Sequence, residues 1–359
     1  MFGECIIKYI IFMRQPEDDL SMVSIGNIKL KYGLMLAPMA GVTDRSFRRI
    51  CKRFGAEYMV SEMISSKAII YHDTKTPELA RMTESEHPMA LQIFGSEPDI
   101  MAQAALWITD NFSPEAIDIN MGCPVKKIVG SGDGSALMRN PEKAAAVAGA
   151  VVGALRGKVP VTVKIRTGFD SEHKNAVEIA KLLEGVGVSL LCVHGRTREQ
   201  FYAPPVDIDT IAAVKSAVGI PVIANGGIYS AEDARNMLDR THCDGIMLGQ
   251  GVCGNPWLFD EIISSFEGRP FSPPSVDGRI ALAKEHTEML IEDKGEYTGI
   301  REARKHLGWY LAGMRGAAAM RHRINLAETK EVIFALLDEL VCSIHEYEKS
   351  APENRAHII

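Results

Sequence analysis

No two cysteines in this chain are spaced C-x-x-C, and their number is odd: seven, at Cys5, Cys51, Cys123, Cys192, Cys243, Cys253 and Cys342. That scatter argues against a disulfide framework and against a zinc or iron-sulfur cage, and it fits a reducing cytoplasm; no metal site is read. Long apolar runs are also missing. The run from Ile6 to Met13 is broken by Lys8, is too short to span a bilayer and has neither a basic leader nor a small-residue cleavage site, so neither a membrane span nor a signal peptide is expected. Positive charge is not in excess either: 40 Lys and Arg stand against 46 Asp and Glu, a net −6. That argues against a protein that coats nucleic acid non-specifically, while it does not exclude a local basic groove.

What remains is a chain of 359 residues, 46% hydrophobic and 24% charged, long enough for one large domain and a smaller one. Residues 1–24 read as an N-terminal extension; Met22 directly precedes the first orderly strand pattern, which marks it as an alternative start. From Gly33 onward, short apolar runs alternate with amphipathic helical stretches about eight times, the pattern of a closed (β/α)8 TIM barrel over residues 25–268. The candidate strands are Leu34–Ala37, Tyr58–Ser61, Ala90–Phe94, Ala116–Asn120, Val161–Ile165, Leu190–His194, Val222–Asn225 and Gly245–Leu248. A proline-rich linker spans 269–276. The stretches Ile280–Glu292, Ile300–Met314 and Thr329–Tyr347 then predict a small all-α domain over 277–348, followed by a tail at 349–359.

The active site of such a barrel lies at the C-terminal ends of its strands. Here those ends carry Pro38-Met39-Ala40-Gly41, Glu62, Gln92, Asn120, Lys164 with Arg166, His194 with Arg196, Asn225-Gly226-Gly227 and Gly249-Gln250-Gly251. A ring of amides and cations in that register is hard to obtain from packing alone. Glycines in the last two loops allow backbone N–H groups to approach an anion, with a helix N-terminus following, so they form the natural phosphate site. If a flavin lay at the mouth, Lys164 would stabilise its anionic reduced ring; otherwise it would pair with a rim carboxylate such as Glu62. Gln92 suits a pyrimidine edge or a loop hydrogen bond, and His194 suits a ring or phosphate contact or an ordinary interior position. Cys123 closes the run Ile117-Asp118-Ile119-Asn120-Met121-Gly122-Cys123-Pro124, where a strand stops and leaves a thiol beyond its end; a lone cysteine is also a common core residue.

Five segments resemble the tRNA-dihydrouridine synthases: Ala37-Pro38-Met39-Ala40-Gly41-Val42-Thr43-Asp44, Leu91 to Gly95, Asp118 to Lys127, Val163 to Gly168, and Val193 to Arg198. Arg304-Lys305-His306-Leu307-Gly308-Trp309-Tyr310 is similar to the bacterial B-type branch. The resemblance covers roughly Ile25 to Ala327. It implies an FMN enzyme, re-reduced by NADPH, that reduces the C5–C6 double bond of uridine in the tRNA D-loop, with hydride going to C6 and a proton from Cys123 to C5. By position it implies FMN contacts at Pro38, Met39, Ala40, Gln92, Lys164, His194, Asn225, Gly226, Gly227, Gly249 and Gln250. Asn120 would orient the uracil, and a thiol of ordinary pKa would stay protonated and able to donate.

The buried uridine must be extruded before it can react, which requires basic groups to hold the tRNA backbone. Candidates are Lys126, Lys127, Arg139, Arg166, Arg196 and Arg198 at the mouth, with Arg304, Lys305, Arg321, His322 and Arg323 on the helical part. Three departures from the family pattern stand out. Gly227 occupies a usually acidic position, Gln250 replaces the usual arginine after glycine, and Ala203 to Asp207 lacks the usual Gly and Trp. Two other readings compete: a flavin reductase of a free pyrimidine, against which the helical domain argues, and a tRNA-binding folding factor with a vestigial flavin site.

Overall fold

Parallel strands buried on both faces close on themselves in the computed structural model, which describes residues 22–73 and 76–350. The eight barrel strands are Leu34–Leu36, Tyr58–Val60, Met89–Phe94, Ala116–Asn120, Val161–Arg166, Leu190–His194, Val222–Asn225 and Gly245–Leu248. Closure is made by Met247 pairing with Met35 and by Met59 pairing with Met89, so every barrel strand has two parallel neighbours. The period of two sorts the side chains. Met35, Tyr58, Val60, Ala90, Ala116, Ile223 and Met247 fill the interior, while Leu34, Leu36, Leu91, Ile93, Ile117 and Ile119 face the surrounding helices.

An antiparallel hairpin, Val23–Ile25 with Ile28–Leu30, packs its apolar face into the barrel interior. The sequence shows a strand pattern after Met22 but does not read as a hairpin, and the hairpin takes up Val23 and Ser24 at the end of the supposed extension. Residues 1–21 and the tail from 351 lie outside the described residues.

The helices begin where capping chemistry predicts. Asp44 accepts the N–H of Phe47, Asn140 that of Lys143, Asp207 that of Thr210 and Ser230 that of Asp233. After Phe266 the chain turns wholly helical, in Val276–Lys294, Glu296–Tyr310, Ala317–Leu326 and Lys330–Ser350. The third of these was not anticipated. It starts behind Gly316, whose φ of +81° breaks the helical path, and its Ala-rich first turn carries no capping side chain. These helices have their own apolar core, yet Ile50 from the barrel's first helix is buried within it. Phe47 of that helix stacks on His286, and Arg45 bonds Asp293 at 2.7 Å, so the helical region is fastened beside the barrel mouth.

Candidate active site

Strand register assembles the polar groups. Gln92 pairs with Asp118 and Asp118 with Thr162, which puts the three in one row across neighbouring strands. One step nearer the mouth, Asn120 pairs with Lys164, and Lys164 with Cys192. The first row is tied by short bonds: Thr162 Oγ1 donates to Asp118 Oδ1 at 2.5 Å and Gln92 Nε2 to Asp118 Oδ2 at 2.7 Å. Asn120 Nδ2 then donates to Gln92 Oε1 at 2.8 Å, and Asn120 Oδ1 accepts the N–H groups of Cys123 at 2.9 Å and Gly122 at 3.2 Å.

Chemistry fixes every orientation in this chain of bonds. Backbone N–H groups can only donate, so the Asn120 atom facing them is oxygen; its amide nitrogen therefore faces Gln92, whose own nitrogen must face the carboxylate. Burial pushes the Asp118 carboxyl up to about 6, against the bonds from Thr162 and Gln92 that favour the anion.

The loop holding Cys123 is clamped from the other side as well. Ser135 donates through both its N–H, at 3.1 Å, and its hydroxyl, at 2.8 Å, to the Cys123 carbonyl. Gly134, at φ +57°, lies so close that a Cβ there would meet the Cys123 Cβ at 3.1 Å. Arg166 fixes the same loop: its Nε donates to the Gly122 carbonyl at 2.7 Å and its Nη1 to the carbonyls of Thr197 and Phe201. Arg166 is buried, and burial lowers its guanidinium to about 10. Burial also raises the Cys123 thiol, outweighing the Val125 N–H and the Arg166 charge, so the sulfur keeps its proton at neutral pH.

A cavity of about 360 Å³ opens at the strand ends. Cys123 and Asn120 line it, together with Pro38, Met39, Ala40, Gln92, Lys164, Arg166, His194, Arg196, Asn225, Gly226, Gly227, Gly249 and Gln250. Lys164 Nζ donates to Asn225 Oδ1 at 2.8 Å and makes no pair with Glu62, which instead accepts the N–H of Gly41. Burial lowers the Lys164 ammonium. His194 is held neutral, well below its ordinary pKa, first by burial and then by the cations Lys164, Arg166 and Arg196. Because a guanidinium cannot accept, the contact of Arg196 Nη1 with His194 Nε2 at 3.1 Å makes Nε2 the acceptor and leaves the proton on Nδ1.

The remaining cations are dispersed. Lys126 and Lys127 are exposed on the helix just past the Cys123 loop and have no ion-pair partner among the described residues. Arg198 and Arg139 lie over the Phe169 ring at 5.2 and 3.6 Å. Arg304 donates to the Ala327 carbonyl at 2.9 Å, and Lys305 Nζ lies near Gly41 at the cavity rim. Arg321, His322 and Arg323 are exposed, and Arg323 pairs with Glu339.

Sequence reasoning gave no role to Asp118, Tyr202, Tyr229 or Trp309, although the last three line the cavity. A signal for Asp118 existed, since strand alternation sets it on the same face as Asn120. The aromatics carry no such pattern. Two of the unusual positions are coupled in space: a Cβ on Gly227, at φ +72°, would meet Val206 Cγ2 at 2.8 Å. Gln250 accepts from the Tyr229 hydroxyl at 3.1 Å.

The family profile described as "Dihydrouridine synthase (Dus)" matches residues 35–345. This chain belongs to the dihydrouridine synthase family. It is 45% identical over 326 residues to "tRNA-dihydrouridine synthase B" of Shewanella oneidensis, which covers 89% of this chain and 99% of that protein. It is 42% identical over 330 residues to the "Probable tRNA-dihydrouridine synthase" of Rickettsia conorii, covering 91% of this chain and 99% of that one. The family's barrel is shared more widely. An old yellow enzyme homologue from Zymomonas mobilis superposes with a TM-score of 0.52 at 16% identity, over 72% of this chain and 95% of its own. Histamine dehydrogenase from Rhizobium sp. 4-9 gives 0.56 at 14% identity, over 76% of this chain and 51% of its own. At such identities the likeness speaks for the fold. No helix of the described residues is long and apolar enough to cross a membrane.

Proposed function

We propose that the chain reduces the C5–C6 double bond of uridine in the D-loop of tRNA, with FMN at the strand ends and NADPH as the reductant. The observation that carries this reading is the meeting, in one cavity, of a protonated thiol on a clamped loop and two glycine loops open to an anion. The names of the relatives supply the substrate class.

The residues present fit a flavin phosphate ester. A Cβ on Gly226 would lie 3.0 Å from the His194 ring, and one on Gly251 would lie 2.2 Å from the Ile228 carbonyl, so both loops keep their backbone bare. Pro38 to Ala40, Gln92, Lys164, His194, Asn225 to Gly227, Gly249 and Gln250 would hold the cofactor. When bound there, FMN would supply the hydride to C6 of the uracil.

The chain's own groups do the rest. Cys123 holds the proton destined for C5, and burial keeps it on sulfur until the carbon becomes basic. Asn120 sets the position of the Cys123 backbone and leaves one amide hydrogen for a uracil carbonyl. Lys164, anchored on Asn225, offers its remaining N–H groups to the cofactor's pyrimidine edge. Lys126, Lys127 and Lys305 would meet backbone phosphates of an extruded nucleotide's neighbours, in the cytoplasm where tRNA is found.

Mapping dihydrouridine in tRNA from a strain lacking this gene tests the reading. Loss of the base at one or more D-loop positions, restored by the wild-type chain, is expected. An unchanged dihydrouridine content would refute it.

A further inference from the structure

The loops after the seventh and eighth strands, 225–230 and 249–255, contain no Lys or Arg. An anion seated on their N–H groups would meet dipoles but no charge from the loops themselves. One guanidinium reaches them from the side. Arg196, two residues past the sixth strand and 7% exposed, has its Nη1 3.5 Å from the position a Cβ would take on Gly226. Its Nε donates to the Ala203 carbonyl at 2.9 Å and its Nη1 to His194 at 3.1 Å. Nη2 has no hydrogen-bond partner among the described residues, and no carboxylate pairs with Arg196 there.

A buried cation without a counter-ion is costly, and around it Lys164 and Arg166 also lack ion-pair partners among the described residues. Asp118 faces Lys164, but no carboxylate pairs with Arg196 or Arg166 among the described residues, and Gly226 and Gly227 line the cavity beside Arg196, where an anion would complete the cluster. We propose that Arg196 supplies the cation for the cofactor phosphate at the Gly226–Gly227 loop, the charge that Gln250 does not provide. This rests on the flavin reading above. It reassigns Arg196 from the tRNA contact expected from the sequence, because its guanidinium is largely buried against His194 and the Gly226 loop rather than on the outer surface.

The test is a titration of flavin-free protein with FMN and, separately, with riboflavin, which lacks the phosphate, followed by flavin fluorescence. The wild type should prefer FMN. Arg196→Met should weaken FMN by roughly ten-fold or more, the worth of a charge-assisted contact, and leave riboflavin nearly unchanged. Arg196→Lys should retain the preference, and Gln250→Arg added to Arg196→Met should restore it. Equal weakening of both flavins would show that Arg196 only holds the loop at Ala203, and an unchanged FMN to riboflavin ratio would likewise overturn the assignment. Wild-type protein that binds neither flavin would sink the flavin reading, and this inference with it. Should Arg196→Met not fold, the Lys variant and Gln250→Arg in the wild-type background decide: if FMN binding by the Lys variant loses its salt dependence, or if Gln250→Arg strengthens riboflavin as much as FMN, the proposal fails.

Discussion

Asn120 Oδ1 accepts the backbone N–H of Cys123 at 2.9 Å, so the amide at the end of the fourth strand sets where the thiol stands. Removing it should misplace the sulfur without touching the cofactor loops. Asn120→Ala leaves the Cys123 N–H and Gln92 Oε1 without partners, and a displacement of this kind is expected to slow uridine reduction by about a hundred-fold. Asn120→Asp keeps the acceptor for both N–H groups but puts a carboxylate against Gln92 Oε1 and near the thiol. Its alkylation-versus-pH curve should shift upward. An unshifted curve together with wild-type turnover would show that the Cys123 loop is held by Ser135 and Arg166 alone.

Asp118 anchors the same chain of bonds at a cost to stability. Its carboxyl is raised to about 6 in the fold, above its unfolded value of 3.8, so the fold binds an extra proton between those limits. Wild-type stability therefore gains as pH falls from 6 to 4 and loses that gain as pH rises through 6. The neutral amide introduced by Asp118→Asn could accept from Gln92 and donate to Thr162 with no charge to desolvate. We expect this variant to be more stable than wild type at pH 7 by up to about 3 kcal/mol, an advantage that vanishes below pH 4. Thermal melts across that range check it. A variant less stable at pH 7 would mean that the ionised carboxylate contributes net stability.

The barrel's polar strand ends were legible because most of the apolar runs stop on an amide, a cation or a glycine, and strand count and spacing implied closure. What links those ends was not. Asp118 is joined to Gln92, 26 residues earlier, only by register, and register becomes visible once Gln92 and Asp118 are seen side by side. Arg166 and Arg196 line the cavity, but their bonds to loop carbonyls join residues that no sequence pattern links and so were not legible. The strand pattern after Met22 did not reveal a hairpin, because two three-residue strands carry too little alternation to show that they pair. Ala317–Leu326 was hidden for want of a side-chain cap.

The seam between barrel and helices should be acid-sensitive. His286 and His306 lie 4.4 Å apart, buried between Phe47 and Trp309, and Nε2 of His286 and both ring nitrogens of His306 lack hydrogen bonds. Burial lowers His286 to about 4 and His306 well below its ordinary value, with Lys294 and Lys305 opposing protonation and Asp44 favouring it at His286. Both rings are neutral in the fold but take protons when unfolded, so stability is full above about 6.5 and falls as pH drops toward 4, by about 3 kcal/mol for His286 alone. His286→Leu should flatten that slope. An equally steep acid loss in the variant would place the sensitivity elsewhere.

The central claim is that Cys123 gives the proton to C5, and one experiment separates this from a packing role. Cys123→Ala should keep its cofactor content, its reduction by NADPH and its tRNA affinity, because none of those steps uses the thiol. Reduced protein loaded with tRNA without oxygen should then be reoxidised slowly, by roughly 10²- to 10⁴-fold relative to wild type, the range for a lost general acid. Reoxidation of Cys123→Ala at the wild-type rate would contradict the account and hand the proton to water or another side chain.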